Sequence, residues 1–352
     1  MASADHRQTE EIAGLASRVR SGDRRALSRA ISWIEDQTPR GRALLALLYM
    51  PASSAHRVGI TGPPGSGKST LVSELTGSLR RKGAVVGILA VDPTSPFTGG
   101  AILGDRIRMQ AHHDDPGVFI RSMASRGSLG GLASTTYEAS EAMEAAGCDR
   151  ILIETVGVGQ SEMEVIEAAD TTVLVLVPES GDAVQVMKAG LMEAGDIFVI
   201  NKSDREGGER LQKEIMLMLE LARERHHEGP PAAHLDAGTT WERRICQTVA
   251  TQGDGVEDLT AAIEAHRDYL RHDPAVWAAR QQRRVSRRLR ALLRDRLLHA
   301  LWDAGEIDEW VRASEQKVRI GAASPYALVD ELVACLLRRD DGHARLGTGK
   351  GG

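Results

Sequence analysis

A glycine-rich segment with the sequence GPPGSGKS, residues 62–69, constrains this chain more than any other feature. The short apolar run Val58-Gly59-Ile60 precedes it, and a stretch with helical spacing, 71–81, follows it. Between a strand and a helix, such glycines let backbone N–H groups converge on phosphates, and the helix N-terminus adds its dipole. The segment therefore predicts a phosphate-binding P-loop rather than a glycine-rich turn without a ligand.

Each part of this loop has an expected task. Lys68 is expected to reach the β- and γ-phosphates, and the Ser69 hydroxyl is expected to ligate Mg²⁺. The backbone of the remaining residues would surround the phosphates. The predicted nucleotide-binding segment comprises Gly62, Pro63, Pro64, Gly65, Ser66, Gly67, Lys68, Ser69 and Thr70.

Further apolar runs rich in branched residues follow the P-loop, separated by helical stretches such as 135–146. The runs are VVGILAV at 85–91, ILI at 151–153, VLVLV at 173–177 and IFVI at 197–200. Strands that alternate with helices predict a parallel sheet covered on both faces. The expected fold class is therefore α/β, a P-loop NTPase domain with a mostly parallel sheet, which we place at 56–270.

The tetrapeptide Asn201-Lys202-Ser203-Asp204 directly follows the last of these runs. The Asp204 carboxylate can accept hydrogen bonds from N1–H and the N2 amine of guanine, a donor pair that adenine lacks. Lys202 would lay its methylene stem along the base, and Asn201 would either fix the loop or contact the base edge. Four residues alone are a weak signal, and a solvated loop is the alternative. Downstream of a P-loop and at the end of a strand, the tetrapeptide indicates a GTPase that binds GTP and GDP.

Carboxylates stand at two predicted strand ends, where parallel strands converge beside the P-loop. Glu154 closes the ILI run and Asp92 closes VVGILAV, so we expect both to serve Mg²⁺ or its bound water. For Asp92, a capping role is the alternative. Gly157 could offer its N–H to the γ-phosphate. Asp105 is either a further Mg²⁺ ligand or a helix cap. Lys68, Asp92 and Glu154 are the candidate catalytic residues.

The position after Gly157 bears on the rate of hydrolysis. Many GTPases place a water-orienting glutamine there, whereas this chain has Val158, with Gln160 two residues further on. Because valine cannot orient water, slow unassisted hydrolysis is expected. The long segment 93–134 is rich in glycine and serine, and resembles switch material that orders on the γ-phosphate.

Helical extensions flank the predicted sheet domain. Apolar residues at helical spacing predict helices in 1–55, packed on the main domain, and in 271–338, whereas the tail 339–352 is predicted to be disordered. The second region carries an apolar stripe of Trp277, Val285, Leu289, Leu292 and Leu301. Because the sheet has little free face to cover this stripe, we predict a homodimer formed by this arm. Packing of the arm on the chain's own N-terminal helices is the alternative.

Two charged features invite a ligand interpretation that their surroundings disfavour. The pairs His112-His113 and His226-His227 lack an accompanying cysteine or spaced histidine set, so solvated helix or loop ends are the better interpretation. An arginine face on the arm could bind nucleic acid, but solvation or pairing with acidic residues of another subunit is favoured. Its residues are Arg280, Arg283, Arg284, Arg287, Arg288, Arg290, Arg294 and Arg296.

The composition excludes several classes of function. A net charge of −5 over 352 residues provides no basic footprint for nucleic acid. No apolar run approaches the roughly 20 residues that a membrane span needs. The N-terminus is polar, and no signal or transit peptide is apparent. Three widely separated cysteines exclude a disulfide framework and indicate a reducing, cytoplasmic location.

The motif blocks together resemble a known family. The blocks GITGPPGSGKST, VDPTSPFTGGAILGDRIRM, FIRSMASRGSLGG, ILIETVGVGQSE and VINKSD, in this order, resemble the MeaB/ArgK group of P-loop GTPases. These are G-protein chaperones of adenosylcobalamin-dependent acyl-CoA mutases, with methylmalonyl-CoA mutase as the usual client. The resemblance covers about residues 10–335. It implies a G-domain with a helical N-terminal extension and a helical C-terminal dimerisation arm.

The resemblance also carries expectations for individual residues. It implies Mg²⁺ handling by Ser69, Asp92, Asp105 and Glu154, and a mobile segment at 180–188. The loop that usually contains Ser-Ala near the base is Val249-Ala250-Thr251 here, so its backbone N–H groups can contact the guanine oxygen but the serine hydroxyl is lost. Ala183 replaces a commonly acidic residue of the mobile segment.

The favoured hypothesis is a GTPase switch that gates cobalamin loading of an adenosylcobalamin-dependent acyl-CoA mutase and protects that enzyme. A GTPase for metal insertion is the alternative, but it would need a Cys/His metal site near the switches, and the sequence shows no such pattern. A small-molecule kinase or transport-associated ATPase would leave Asn201-Lys202-Ser203-Asp204 unexplained. Spectral titration with cobalamin-loaded mutase separates the first hypothesis from the others.

Overall fold

The predicted apolar runs form strands of one parallel sheet. The computed structural model describes residues 2–50, 55–93, 110–125, 131–155, 161–178, 191–228, 241–272, 274–303 and 306–338. Seven strands lie within these ranges: β1 (His56–Thr61), β2 (Val86–Pro93), β3 (Val118–Ser125), β4 (Arg150–Thr155), β5 (Thr171–Leu176), β6 (Ile197–Asn201) and β7 (Arg244–Thr248).

The strand order is β3-β2-β4-β1-β5-β6-β7, and every neighbouring pair runs parallel. The predicted α/β class with a mostly parallel sheet is therefore confirmed. Because β1 lies in the middle, the loop that follows it starts between the ends of β4 and β5. The loops after β6 and β7 leave from the same edge of the sheet, which is where ligands bind in open α/β sheets.

Helices surround the sheet and continue beyond it. Within the described ranges they are α1 (Ala2–Arg20), α2 (Arg24–Glu35), α3 (Pro39–Leu48), α4 (Lys68–Arg81), α5 (Gly131–Ala145), α6 (Ser161–Ala168), α7 (Leu191–Ala194), α8 (Gly208–Glu228), α9 (Val256–His272), α10 (Pro274–Asp303), α11 (Glu306–Arg319) and α12 (Pro325–Arg338). Asp23 caps α2 by accepting from the N–H groups of Arg25 and Ala26. None of the described helices is long and apolar enough to cross a membrane.

The strands are buried on both faces, which explains their continuous apolar runs. In β4, Ile151 and Ile153 pack in one core cluster, whereas Leu152 packs in another. The first cluster includes Ile31 of α2 and Leu44 of α3, so the N-terminal helices cover that face of the sheet. The predicted packing of the N-terminal extension on the main domain is confirmed.

Two edge strands were absent from the sequence prediction. Residues 118–125 lie in the segment interpreted as switch material, yet they form β3 and pair with β2 along its whole length. The switch interpretation is therefore wrong for residues 118–125. The sequence did not indicate this strand because Arg121 interrupts its apolar pattern. In the structure, the Arg121 side chain binds Ser32 Oγ (3.1 Å) and Glu35 of α2. At the other edge, β7 also mixes charged, polar and apolar residues.

Residues 1–291 group into one compact unit and 292–352 into a second. Within the first unit, α10 contacts the sheet domain through two arginines. Arg280 donates to the Asp170 carbonyl oxygen (3.1 Å), and Arg288 pairs with Glu138 and lies 5.3 Å from the Tyr137 ring centre. These two arginines therefore bind acceptors of their own chain, unlike the expected solvation or pairing with another subunit, whereas Arg290 and Arg296 are exposed as expected for a solvated face.

Candidate functional site

The P-loop connects β1 to α4, and its backbone conformation favours glycine at Gly62, Gly65 and Gly67. Gly62 and Gly67 have φ angles of +144° and +88°, which L-residues with side chains rarely adopt. A Cβ at Gly62 would collide with the Val175 carbonyl oxygen, and one at Gly67 would collide with the Asn201 side-chain amide. The glycines therefore allow the loop to lie directly against β5 and the loop after β6.

Lys68 begins α4 and is buried inside the P-loop. Its Nζ donates to the carbonyl oxygens of Gly62 (2.7 Å) and Pro63 (2.9 Å). The ammonium group is thus held within the turn that would surround the phosphates. Pro64 and Gly65 form the exposed tip of the loop.

Ser69 and Glu154 lie together although 85 residues separate them. The Ser69 hydroxyl donates to Glu154 Oε1 at 2.5 Å, and both residues are buried. A hydroxyl beside a carboxylate is an oxygen donor set that suits Mg²⁺. The residues present therefore fit the predicted ion.

Asp92 stands near the same strand ends. Glu154 pairs in register with Ile60 of β1 and Ala90 of β2, and Asp92 lies in β2 two residues beyond Ala90. The structure places its backbone there, and its side chain lies outside the described residues. Asp105, Gly157, Val158 and the segment 180–188 also lie outside them.

Asn201 at the end of β6 joins the loops of the site. Its Nδ2 donates to the Ser66 carbonyl oxygen (2.8 Å) in the P-loop. Its Oδ1 accepts from Thr248 Oγ1 (3.0 Å) and from the Ala250 N–H (3.2 Å). The amide is buried and connects the P-loop to the loop after β7.

In the rest of the tetrapeptide, Lys202 contacts the P-loop tip and Ser203 contacts the end of β7. Lys202 has a φ of +56° and donates from Nζ to the Gly65 carbonyl oxygen (2.9 Å). Ser203 donates from its N–H (3.1 Å) and its hydroxyl (3.2 Å) to the Thr248 carbonyl oxygen. The Asp204 carboxylate is on the exposed side of this turn.

The loop after β7 uses two of its backbone donors internally. The Val249 N–H donates to the Asp254 carbonyl oxygen (3.0 Å), and the Ala250 N–H donates to Asn201. In the described part of the chain, the Thr251 N–H donates no hydrogen bond to another backbone group.

His112 is not a solvated loop end, contrary to the expectation. Its Nε2 lies 2.8 Å from the Ser73 carbonyl oxygen and 3.2 Å from Ser73 Oγ, so it contacts α4 one turn after Ser69. His113 is exposed as expected, and the side chains of His226 and His227 lie outside the described residues. Across the described ranges, no group of three or more His, Cys, Asp or Glu residues could hold a metal ion.

A buried polar cluster at the opposite end of the strands was not predicted from the sequence. Thr171 Oγ1 lies 2.8 Å from His56 Nε2 and 2.7 Å from His266 Nδ1. Burial lowers the pKa of His56 to about 3 and also lowers the pKa of His266. Both rings are therefore neutral at pH 7. No sequence motif indicates this cluster, because its members lie in β1, β5 and α9, which are far apart in the sequence.

A P-loop after the central strand of a parallel sheet, connected through Asn201 to the loop after β7, defines a protein of the P-loop NTPase class. The family model "Methylmalonyl Co-A mutase-associated GTPase MeaB" matches residues 27–306. The chain belongs to this family and is a GTPase.

Individual relatives agree with the family assignment. A Pyrococcus abyssi protein named as a GTPase is 43% identical over 322 residues, which is 91% of this chain and 95% of the relative. The mouse "Methylmalonic aciduria type A homolog, mitochondrial" is 33% identical over 336 residues, or 90% of this chain and 78% of the relative. The solved structure of an LAO/AO transport system kinase has a TM-score of 0.64 at 26% identity, covering 93% of this chain and 97% of that chain.

Proposed function

We propose that this GTPase is a switch that gates cobalamin loading of an adenosylcobalamin-dependent acyl-CoA mutase and protects that enzyme. Methylmalonyl-CoA mutase or a relative is the proposed client. The family description, which names methylmalonyl-CoA mutase, supports this proposal. Guanine nucleotide binding is supported mainly by one observation. The buried Asn201 amide links the P-loop to the loop after β7, which is the loop expected to contact the base.

The phosphate side of the site supports GTP hydrolysis. In the proposed arrangement, Lys68 leaves its two carbonyl partners for the β- and γ-phosphates, and backbone N–H groups of residues 62–70 surround them. Ser69, Glu154, Asp92 and Asp105 would hold Mg²⁺. The bound ion would neutralise the charge that develops on the phosphate oxygens. Gly157 would donate its N–H to the γ-phosphate.

The base side supports selection of guanine. Asp204 would accept hydrogen bonds from N1–H and the N2 amine, while the Lys202 stem lies along the ring. The Thr251 N–H would donate to the guanine oxygen, within the predicted Val249-Ala250-Thr251 loop. An adenine base would leave the Asp204 carboxylate without a donor pair.

We propose further that α10 contributes to a homodimer. Val285 and Leu289 in the first compact unit are 46% and 62% exposed, and Leu293 and Leu297 in the second are 60% and 56% exposed. These residues recur every four positions along one helix, and soluble monomers rarely leave such a stripe in water. Two-fold pairing with the same helix of a second chain would cover it.

Calorimetry with purified protein tests the nucleotide part. GDP should bind at least about 100-fold more tightly than ADP, because only guanine satisfies Asp204. Equal affinity for the two nucleotides would contradict the proposal. A binding experiment with an immobilised mutase of the same organism tests the proposed partner. We expect the mutase to retain the protein, and Lys68→Ala is the matched variant.

A further inference from the structure

Two buried threonines end the neighbouring strands β1 and β4. Thr61 is the last residue of β1, Thr155 is the last residue of β4, and neither side chain is exposed to solvent. The Thr155 hydroxyl donates to Thr61 Oγ1 at 3.3 Å. Because a buried hydroxyl is costly to leave without a partner, this contact defines the environment of both side chains.

The contact lies where the backbone pairing of the two strands ends. The last pair in the parallel ladder of β1 with β4 is Ile60 with Glu154. Thr61 and Thr155 are the next residues of the two strands, and Gly62 of the P-loop comes directly after Thr61. The hydroxyl contact therefore holds the two strands together one residue beyond their ladder, at the start of the P-loop.

A second hydroxyl contact joins the same two chain segments on the other face of the sheet. Successive residues of a strand point to opposite faces, so Glu154 shares the face of Leu152 and Thr155 shares the face of Ile153. On the first of these faces, the Ser69 hydroxyl donates to Glu154 Oε1 at 2.5 Å. The end of β4 is thus held from both faces, by β1 on one and by the first turn of α4 on the other.

We propose that Thr155 is a positioning residue for the Mg²⁺ site. Its hydroxyl fixes the end of β4 against the end of β1, so that the Glu154 carboxylate and the Ser69 hydroxyl remain within reach of one ion. Mg²⁺ demands near-ideal octahedral geometry, so a small shift between its ligands lowers its affinity. The inference rests on the proposed holding of Mg²⁺ by Ser69 and Glu154.

The test compares Thr155→Val with Thr155→Ser. Valine keeps the β-branched shape that suits a strand but removes the hydroxyl, whereas serine retains a hydroxyl. Mg²⁺ is titrated by calorimetry into the complex with GDP, with protein in excess so that no free nucleotide binds the ion. We expect Thr155→Val to raise the Kd of Mg²⁺ about fivefold and Thr155→Ser to keep it within about twofold of the wild type. The affinity for GDP in EDTA should change less than about twofold in both variants, because no ion takes part.

A double-mutant cycle shows whether the contact itself carries the effect. Thr61→Val removes the other hydroxyl, so it should raise the Kd of Mg²⁺ about as much as Thr155→Val does. The double variant should add less than about twofold to either single change, because the two residues act through one contact. Should Thr155→Val fail to fold, Thr61→Val takes its place in the comparison.

Thr171→Val is the matched control for a purely structural effect. Thr171 is also a buried strand threonine whose hydroxyl is hydrogen-bonded, but it lies at the opposite end of the sheet. Its replacement should lower the unfolding midpoint and leave the Kd of Mg²⁺ within about twofold of the wild type. An equal rise of this Kd in Thr171→Val and Thr155→Val would overturn the inference.

The outcomes separate this inference from the proposed function. A GDP complex that binds no Mg²⁺, or a Glu154→Gln variant that binds the ion as tightly as the wild type, would overturn the assigned site and the inference with it. A loss of Mg²⁺ affinity in Glu154→Gln, together with an unchanged Kd of Mg²⁺ in Thr155→Val or in the Thr61→Val variant that replaces it, would overturn the role of Thr155 alone.

Discussion

At the scale of single residues, the closest contact of the site joins a hydroxyl and a carboxylate. The Ser69 hydroxyl donates to Glu154 Oε1 at 2.5 Å. Glu154→Gln keeps an acceptor for this hydroxyl but removes the negative charge that suits Mg²⁺. We expect GTP hydrolysis to fall about 100-fold while GDP binding without Mg²⁺ changes little. A Mg²⁺ titration of hydrolysis checks this, and an unchanged Mg²⁺ requirement would count against the assignment.

Asp204→Asn exchanges an acceptor for a donor where guanine also donates. We expect GTP affinity to fall about 100-fold and xanthosine nucleotides, which offer an acceptor at that position, to be preferred. Competition between GDP and XDP measures the change. Arg205→Gln, an exposed neighbour in the same turn, serves as control and should retain GDP preference.

The convergence of the P-loop, Glu154 and Asn201 could be predicted from the sequence because parallel strands bring their carboxyl ends to one edge. That rule alone predicts a meeting of Ser69 with Glu154. It does not predict which groups hold Asn201, because the hydroxyl of Thr248 belongs to a strand without an apolar run. Sequence spacing also gave no sign that Ala250 uses its N–H internally.

At the scale of elements, the junction of β1, β5 and α9 makes stability depend on pH. His56 is neutral in the folded protein because burial lowers its pKa to about 3, whereas in the unfolded chain it takes up a proton below about pH 6.5. Unfolding therefore binds a proton between these values, and stability falls as the pH drops from 6.5 towards 3. His56 alone should cost about 2 kcal/mol at pH 5 relative to pH 8.

Urea unfolding at both pH values measures this loss. His56→Gln retains a polar partner for Thr171 but cannot titrate, so its stability should vary less between pH 8 and pH 5. His266 contributes in the same direction, because burial lowers its pKa as well. An equal loss in His56→Gln and wild type would show that His56 does not carry the effect.

The central strands could be predicted because each is buried on both faces and consists of branched apolar residues. The edge strands β3 and β7 could not, because an edge strand is covered on fewer sides and tolerates polar residues. Arg121 interrupts the apolar pattern of β3, and only the structure shows that its side chain has partners on α2. Such partners are 86 to 89 residues away and leave no local pattern.

At the scale of the whole molecule, the proposed homodimer predicts that charges placed in the exposed stripe of α10 prevent assembly. Leu289→Glu combined with Leu293→Glu would place charges in the proposed seam. Light scattering at micromolar concentration should show a dimer for the wild type and a monomer for the double variant, with GDP affinity retained. Leu217→Glu on α8, where the leucine is 58% exposed, is the control and should stay dimeric. A monomeric wild type would refute the dimer.

The steady-state rate of GTP hydrolysis measures whether GTP turnover by this protein is coupled to a mutase. Val158 follows Gly157 in place of a water-orienting glutamine, so the isolated protein should turn over well under about once per second. Adding the adenosylcobalamin-dependent mutase of the same organism should raise this rate, and Lys68→Ala should abolish it in both conditions. A fast rate in isolation that no mutase changes would contradict the account.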